Sequence, residues 1–203
     1  MKKRSKTIKR KTRETNITVR LNIDGSGKSK ISTGIGILDH MLELFAFHGL
    51  FDLEIKALGD LKIDIHHTNE DIGIVLGDAF KEALGDKEGI KRSGYFSWPM
   101  EDVVANVAVD ISGRGFFKGI IREPAGYPEP QDETGYSFAY ANHFFEAFAK
   151  KTGMNLSIKL LNSTTDLHTN LEPIFKALGK TLDEATTVDP RRKGVPSTKG
   201  IID

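Results

Sequence analysis

The sequence contains one pattern of segments twice, and this repeat constrains the fold more than any other feature. An alternating polar and apolar stretch over residues 16–25 is matched by a second over residues 104–113. An apolar helical segment that opens at Asp39–His40 is matched by one that opens at Asn142–His143. Such self-similarity is typical of a duplicated unit, and we predict one offset of about 102 residues between the copies.

Each copy then continues into a second alternating strand and a second helix. The strands begin at Leu53 and Leu156, and the helices open with histidine at His66 and His168. One half alone would leave a face of its sheet uncovered, so the halves should pack as one pseudo-symmetric unit. The predicted fold class is α/β, more narrowly α+β, with a β-sheet in each half and helices on one face of that sheet.

We predict a single domain over residues 1–203. Its two repeated halves cover about 11–93 and 94–187, and a basic, Gly- and Pro-rich tail follows over 188–203. Such a tail could be disordered or could fold over a phosphate group. The segment Arg122–Thr134 is rich in Pro, Gly and acidic residues, which predicts a loop inside the second half.

Composition excludes several classes of site and partner. The chain has no cysteine, which excludes disulfides, thiolate zinc sites and a cysteine nucleophile. A formal net charge of +1 gives no general reason to expect nucleic acid or a membrane as partner. No apolar run or signal sequence is present, so we expect a cytoplasmic protein. The basic run between Lys2 and Arg13 could touch phosphate, but the prediction is a solvated arm.

The histidines carry the strongest chemical signal, because five of the six fall at equivalent places in the repeat. Residues i and i+4 share a helix face, so His66 with Glu70 and His168 with Glu172 each present an imidazole beside a carboxylate. Mixed ligands of this kind suit a divalent ion such as Mn, Fe, Co or Zn. Helical His–Glu pairs are also common as plain surface partners, but their repetition favours metal ligation. No His-Glu-x-x-His motif is present, which disfavours a metalloprotease.

Charged residues that could bind a substrate are Glu14, Arg92, Arg114 and Lys199. Arg114 follows Ser112–Gly113 at the end of a predicted strand, where its forked guanidinium could hold a phosphate. Each of these residues, taken singly, is equally typical of an ordinary protein surface.

The chain resembles imidazoleglycerol-phosphate dehydratase, an enzyme family of histidine biosynthesis, from about residue 11 to residue 202. The resemblance rests on many motifs in the same order: Arg13-Glu14-Thr15, Leu38-Asp39-His40-Met41-Leu42, His66-His67-Thr68-Asn69-Glu70-Asp71, Gly89-Ile90-Lys91-Arg92, Asp110-Ile111-Ser112-Gly113-Arg114, His143-Phe144-Phe145, Glu172 with Phe175-Lys176-Ala177, and Pro196-Ser197-Thr198-Lys199-Gly200.

The resemblance implies a fold similar to the second domain of ribosomal protein S5. It also implies dehydration of D-erythro-imidazoleglycerol phosphate to imidazole acetol phosphate, two Mn²⁺ ions per site that stabilise an imidazolate, and a homo-oligomer of 24 subunits with sites between subunits. The implied metal ligands are His40, His66, His67, Glu70, His143, His168 and Glu172. The implied catalytic carboxylates are Glu14, Glu70 and Glu172. Glu14 is also expected to contact the substrate, and the phosphate is expected to lie on Arg92, Arg114, Ser197, Thr198 and Lys199.

Several positions depart from the family pattern, which has a His–His pair in both halves. The second half has only one histidine there, and alignment puts either Thr169 or Leu167 at the place of the missing imidazole. One metal position is therefore expected to be weaker. Pro173 implies a helix that starts close by, and Ile65 stands where the family has Asp. Glu101–Asp102 reverses the usual order of the two acids.

Two alternatives to the dehydratase follow from these departures. One is a lyase of the same family that acts on a related phosphorylated substrate. The other is a catalytically impaired or repurposed paralogue, a homo-oligomer that binds metal without the reaction.

Overall fold

The computed structural model describes residues 4–123 and 130–202. Each half contributes four strands and two helices in the same order. The first half consists of β1 (Ser5–Lys11), β2 (Thr15–Asn22), β3 (Ser29–Ser32), α1 (Gly36–Gly49), β4 (Asp52–Gly59) and α2 (Ile65–Leu84). The second half consists of β5 (Ser93–Met100), β6 (Val103–Asp110), β7 (Phe116–Glu123), α3 (Phe138–Thr152), β8 (Asn155–Leu161) and α4 (Leu167–Thr186).

The two sheets have the same topology. The first has the order β1-β2-β4-β3 and the second the order β5-β6-β8-β7. In each sheet the third strand of the half pairs parallel with the fourth, and the other neighbours pair antiparallel. The alternating burial along β2 and β4 shows that one face of the sheet is covered and the other is not. These observations confirm the predicted pair of pseudo-symmetric α+β halves.

The helices lie between the two sheets and join the halves. Helix α2 packs on β1 and β2 of its own half and on α3 of the other, while α1 packs on α4. Both pairs approach closely at glycines. A Cβ atom on Gly77 would lie 2.8 Å from the carbonyl oxygen of Phe148, and one on Gly179 would lie 2.6 Å from that of Phe45. The core therefore consists of aromatic and aliphatic side chains that both halves share.

The offset between the copies is not uniform, so the predicted single value is wrong. The paired helices α1 and α3 begin at residues 36 and 138, a difference of 102, but β2 and β6 begin at 15 and 103, a difference of 88. The reason is a longer connection between β6 and α3, in which β7 has eight residues where β3 has four.

Two predicted irregular segments are partly regular. The basic N-terminal run is not a solvated arm where it is described, because Ser5–Lys11 forms β1 and pairs with β2 in full register. Lys2 and Lys3 lie outside the described residues. Within the predicted loop Arg122–Thr134, the first two residues belong to β7 instead. Residues 124–129 lie outside the described residues.

The tail is attached to the loop that follows α2. The amide of Gly89 donates to the carbonyl of Gly194 at 2.9 Å, and that of Asp189 donates to the carbonyl of Gly89 at 2.9 Å. These bonds place the tail at the C-terminal end of α2. In the described part of the chain, no helix is long and apolar enough to cross a membrane.

Candidate active site

The histidine-bearing helices are fixed at their first turns by aspartate caps. The Asp64 carboxylate accepts from the amide of His66 at 2.8 Å, and the Asp166 carboxylate accepts from the amide of Thr169 at 2.6 Å. Such caps satisfy amides that have no partner within the helix and set where it begins. The histidines are consequently held in the first turns of α2 and α4.

One cluster, the α1/α4 cluster, consists of His40, His168 and Glu172. Their ligand atoms all lie within 4.8 Å of one another. The Glu172 carboxylate is 2.8 Å from Nε2 of His168 and 3.6 Å from Nε2 of His40. Its partial burial raises the pKa of Glu172, but hydrogen bonds from Lys176 and His168 outweigh this effect and leave the pKa lowered. The carboxylate is therefore held in the ionised form that binds a cation.

The second cluster, the α2/α3 cluster, consists of His66, Glu70 and His143. The Glu70 carboxylate lies 3.1 Å from Nε2 of His66. The rings of His66 and His143 are 4.4 Å apart between centroids, and Nδ1 of His143 is buried with no hydrogen-bond partner among the described residues. With Glu146 and Lys150, these residues line a small cavity of about 100 Å³. The cluster is the pseudo-symmetric counterpart of the first.

Both clusters fit a divalent cation by the chemistry of their donors. Each combines two imidazoles with one carboxylate, which is the mixed donor set that divalent transition metals accept. Helix N-termini alone would repel a cation, since they carry partial positive charge. The carboxylates of Glu70 and Glu172 counter that charge at each cluster. The structure thus brings the ligand atoms of the α1/α4 cluster within 4.8 Å of one another and places the residues of the α2/α3 cluster around one cavity.

His67 is the seventh expected ligand, and it lies outside both clusters. Its ring is nearly perpendicular to that of His66, at 6.2 Å, and its Nδ1 is 3.0 Å from the carboxylate of Asp60. This hydrogen bond is the largest of the influences that raise the pKa of His67, and Glu14 adds to the rise through its charge. Glu14 itself is exposed in the β1–β2 turn. His67, Asp60 and Glu14 together form an acidic surface with one imidazole.

The structure decides which residue replaces the missing imidazole. The caps Asp64 and Asp166 and the helix starts Ile65 and Leu167 are each 102 residues apart, as are His66 and His168. Thr169 therefore occupies the position of His67. The alternative, Leu167, is excluded because it is the counterpart of Ile65, and both begin their helices.

Pro173 does not lie near the helix start, so that expectation is wrong. It is the seventh residue of α4, inside the helix and buried. A proline there cannot donate to the carbonyl four residues earlier, which belongs to Thr169. Packing against the core outweighs this loss in α4.

The residues expected to bind phosphate gather at the opposite end of the molecule. The guanidinium of Arg92 donates to Asp110 at 2.6 and 3.0 Å and to the carbonyl of Pro196 at 3.0 Å. Arg92 therefore fastens the tail to the second sheet. Its own amide donates to the carbonyl of Ala185, in the last turn of α4, at 2.8 Å.

The side chains of the other residues expected to bind phosphate form fewer contacts within the protein. Among the described residues, the Arg114 guanidinium has no hydrogen-bond or ion-pair partner, and Arg114 is exposed beyond β6. Ser197 forms a turn in which its hydroxyl accepts from the amide of Lys199 at 3.2 Å. Thr198 and Lys199 are exposed. These side chains are available to an anion at that end.

The two ends are too far apart to meet on one substrate within a single chain. His168 and Ala185 are 17 residues apart on α4, which is about 25 Å at 1.5 Å per residue. The backbone amide of Arg92 is hydrogen-bonded to the carbonyl of Ala185. Arg92 therefore also lies about 25 Å from the α1/α4 cluster. Arg92 and the α1/α4 cluster therefore do not converge within one chain.

Sequence reasoning did not single out Asp60 or Lys176 as part of the site. Lys176 forms an ion pair with Glu172, and its ammonium lies 5.8 Å from the centroid of the Trp98 ring. The spacing of Glu172 and Lys176, four residues on one helix, was a readable signal. Asp60 precedes α2 in a loop, and no spacing rule places it beside His67.

The fold and the clusters define a class: an internally duplicated α+β protein that presents paired imidazole–carboxylate clusters at the N-terminal ends of its helices. The family model of imidazoleglycerol-phosphate dehydratase matches residues 33–182. The chain therefore belongs to the imidazoleglycerol-phosphate dehydratase family, and it is a hydro-lyase of histidine biosynthesis.

Relatives and solved structures match nearly the whole chain. The imidazoleglycerol-phosphate dehydratase of Pelobacter propionicus is 50% identical over 200 residues, which covers 98% of this chain and 99% of that protein. That of Methanocella arvoryzae is 50% identical over 202 residues, with 98% and 100% covered. The crystal structure of the Pyrococcus furiosus enzyme, in complex with (S)-C348, matches with a TM-score of 0.77 at 34% identity, with 96% and 99% covered. The Staphylococcus aureus enzyme matches with a TM-score of 0.76 at 32% identity, with 91% and 99% covered.

Proposed function

We propose that the chain dehydrates imidazoleglycerol phosphate to imidazole acetol phosphate with two Mn²⁺ ions in each active site. The observation that carries the proposal is the α1/α4 cluster, in which three donor atoms lie within 4.8 Å, together with its pseudo-symmetric counterpart. Their mixed nitrogen and oxygen donors suit a divalent ion. We propose His40, His66, His67, Glu70, His143, His168 and Glu172 as the ligands.

The reaction removes a hydroxyl from the carbon beside the imidazole ring and a proton from the neighbouring carbon. The products are water and an enol, which tautomerises to the ketone. Bound divalent ions would supply Lewis acidity that lowers the pKa of the substrate's imidazole ring. The chain itself supplies carboxylates for proton transfer. Glu14 beside His67 is our candidate to move the proton, with Glu70 and Glu172 as candidates at the clusters.

The separation of the two ends supports a homo-oligomer with sites shared between subunits. A phosphate held by Arg92 and the tail residues Ser197, Thr198 and Lys199 would lie about 25 Å from the same chain's α1/α4 cluster. One small substrate cannot span that distance. We therefore propose that one copy supplies the clusters and another the phosphate contacts, as the family's assembly of 24 subunits implies. The cytoplasm remains our expected location.

The direct test is to load the purified protein with Mn²⁺ and add imidazoleglycerol phosphate. We expect mass spectrometry to show that the phosphorylated substrate loses one water. Loss of that activity on removal of the metal with a chelator, and its return on adding Mn²⁺, would tie it to the clusters. A fully metal-loaded protein that leaves the substrate unchanged would overturn the proposal.

A mixing experiment tests the shared site. The variants Glu172→Gln and Arg114→Ala are each expected to lose most activity, one at the clusters and one at the phosphate end. When the two chains are unfolded together and reassembled, some sites should combine the intact cluster of one with the intact Arg114 of the other. Recovered activity supports the shared site, and a mixture no more active than its components contradicts it.

A second candidate function is favoured by one observation, the presence of Thr169 at the place of a ligand. A catalytically impaired or repurposed paralogue would bind metal as a homo-oligomer or act as a lyase on a related phosphorylated substrate. Turnover of imidazoleglycerol phosphate in the direct test would exclude it.

A further inference from the structure

The counterpart of the His67–Asp60 pair has been lost as a unit in the second half. Thr169 occupies the position of His67, and Asn162 occupies that of Asp60, each 102 residues on and each at the same place relative to its strand and helix. The imidazole and the carboxylate that holds its Nδ1 in the first half are thus both absent from the second. The carboxylate orients the imidazole for metal binding, so it has no such role once the imidazole is lost.

Both replacements are engaged in purely structural contacts. Thr169 hydrogen-bonds to the Asp166 cap through its amide, at 2.6 Å, and through its side chain. The amide group of Asn162 donates to the backbone carbonyl of Asp102 at 3.1 Å. A threonine hydroxyl is also a much poorer ligand than imidazole. Position 169 has therefore become part of a helix cap.

The number of donors in an assembly follows from the number in one chain. In a homo-oligomer every copy contributes the same side chains, so the donors available per pair of ions equal those of one chain, however they are shared. Five histidines and two glutamates are then available for two ions. Seven donors cannot be divided equally between two ions.

We infer that the two metal positions of this protein are unequal: one is held by a protein ligand fewer and binds Mn²⁺ more weakly. This inference rests on the proposed function in two respects: both clusters must bind metal, and His67 must be a ligand of one of the ions. The deficient position is completed by water, since Thr169 faces its own helix cap. The chain should therefore bind about one Mn²⁺ tightly and a second at least about tenfold more weakly.

The test is a titration of the assembled, metal-free protein with Mn²⁺, in which electron paramagnetic resonance reports the free ion. Two classes of site are expected in the natural protein. The double variant Thr169→His with Asn162→Asp restores the two residue types of the first-half pair and should tighten the weak class about tenfold or more. Aspartate tolerates the left-handed backbone of Asn162, whose φ is 54°, nearly as well as asparagine does.

The matched control is Thr169→Val, which keeps the shape of the side chain and removes the hydroxyl. It should leave both affinities unchanged, because the inference gives the hydroxyl no role as a ligand. Loss of the weak class in Thr169→Val would overturn the inference, as would two equal classes in the natural protein. A double variant that folds and assembles normally but keeps the weak class would also overturn it.

These outcomes are separable from those of the proposed function. Two unequal classes in a protein that does not dehydrate imidazoleglycerol phosphate would leave the inference standing and remove the dehydratase. Two equal classes in an active enzyme would do the reverse.

Discussion

The two helix pairs at the centre of the molecule share their packing and differ in their polar contacts. In α1/α4 the backbones meet at Gly179 and Phe45, and in α2/α3 they meet at Gly77 and Phe148. The start of α2 is also tied by side chains, since the Asp71 carboxylate accepts from the hydroxyl of Thr15 at 2.5 Å. The counterpart of Asp71 in α4 is the buried Pro173.

The residue that directly precedes the glutamate of each cluster shows the same contrast. Asn69 in α2 accepts from the hydroxyl of Tyr136 at 2.9 Å and donates to the carbonyl of Tyr140 at 2.7 Å. Its counterpart in α4 is Leu171, which is fully buried. Close helix packing depends on small residues at fixed places, so it has been kept in both halves. Polar anchors can be exchanged for apolar packing when both partners change, so these have diverged.

The largest effect is expected where the two pairs are most alike, at their carboxylates. Glu172→Gln keeps the size of the side chain and removes the charge that faces His40 and His168. We expect at least about a hundredfold loss of dehydration rate, as for other groups that act in proton transfer or metal binding. Glu70→Gln should have a similar effect, measured by the same assay with bound Mn²⁺ determined in parallel.

Loss of activity in only one of these variants would show that the two clusters do not have equivalent roles. Glu146→Gln is the control, because Glu146 lies beside the α2/α3 cluster but forms its ion pair with Lys150. It should retain activity within a few-fold of the unsubstituted protein.

The next largest effect tests the shared packing. Gly179→Ala would place a Cβ atom 2.6 Å from the carbonyl oxygen of Phe45 and 2.9 Å from the amide nitrogen of Gly49, both backbone atoms that cannot move aside. We expect about 3 kcal/mol less free energy of unfolding, from overpacking at a helix contact. Gly77→Ala should cost about as much. Urea denaturation measures both. Gly36→Ala is the control, because a Cβ atom there would meet no described atom within 4 Å outside its own helix and its chain neighbours.

The same contrast explains which parts of the fold and of the candidate site could be predicted from the sequence. The repeat, the helix starts and the His–Glu pairs are local patterns, so residues such as His66 and Glu70 could be placed on one face without a structure. The strand β1 was missed because its basic residues alternate with little apolar character, and its pairing with β2 is a tertiary fact. The contact of Asp60 with His67 depends on the conformation of the loop between them. The separation of Arg92 from the α1/α4 cluster depends on how distant segments meet, and residue spacing encodes neither.

A smaller effect is expected from the polar anchor that only one pair has. Asn69→Leu gives α2 the residue that α4 carries and leaves the buried hydroxyl of Tyr136 without its acceptor. We expect a loss of about 2 kcal/mol in the free energy of unfolding, the cost of an unsatisfied buried hydroxyl. The double variant with Tyr136→Phe should recover part of it, because both partners are then apolar. Equal stability of the single and double variants would show that the unpaired hydroxyl of Tyr136 carries no cost.

The smallest effect concerns His67, the expected ligand that has no histidine at the equivalent position of the second half. The hydrogen bond to Asp60 raises the pKa of His67, so the folded state favours the protonated ring. The resulting stabilisation is complete below the ordinary pKa of histidine, about 6.5, and is lost as pH rises through the raised value of the folded state. In the metal-free protein, NMR titration should show His67 losing its proton at a higher pH than in the variant Asp60→Asn. Since Thr169 has no proton to lose in this range, no second resonance from the other half should shift in parallel with His67 when Asp60 is replaced.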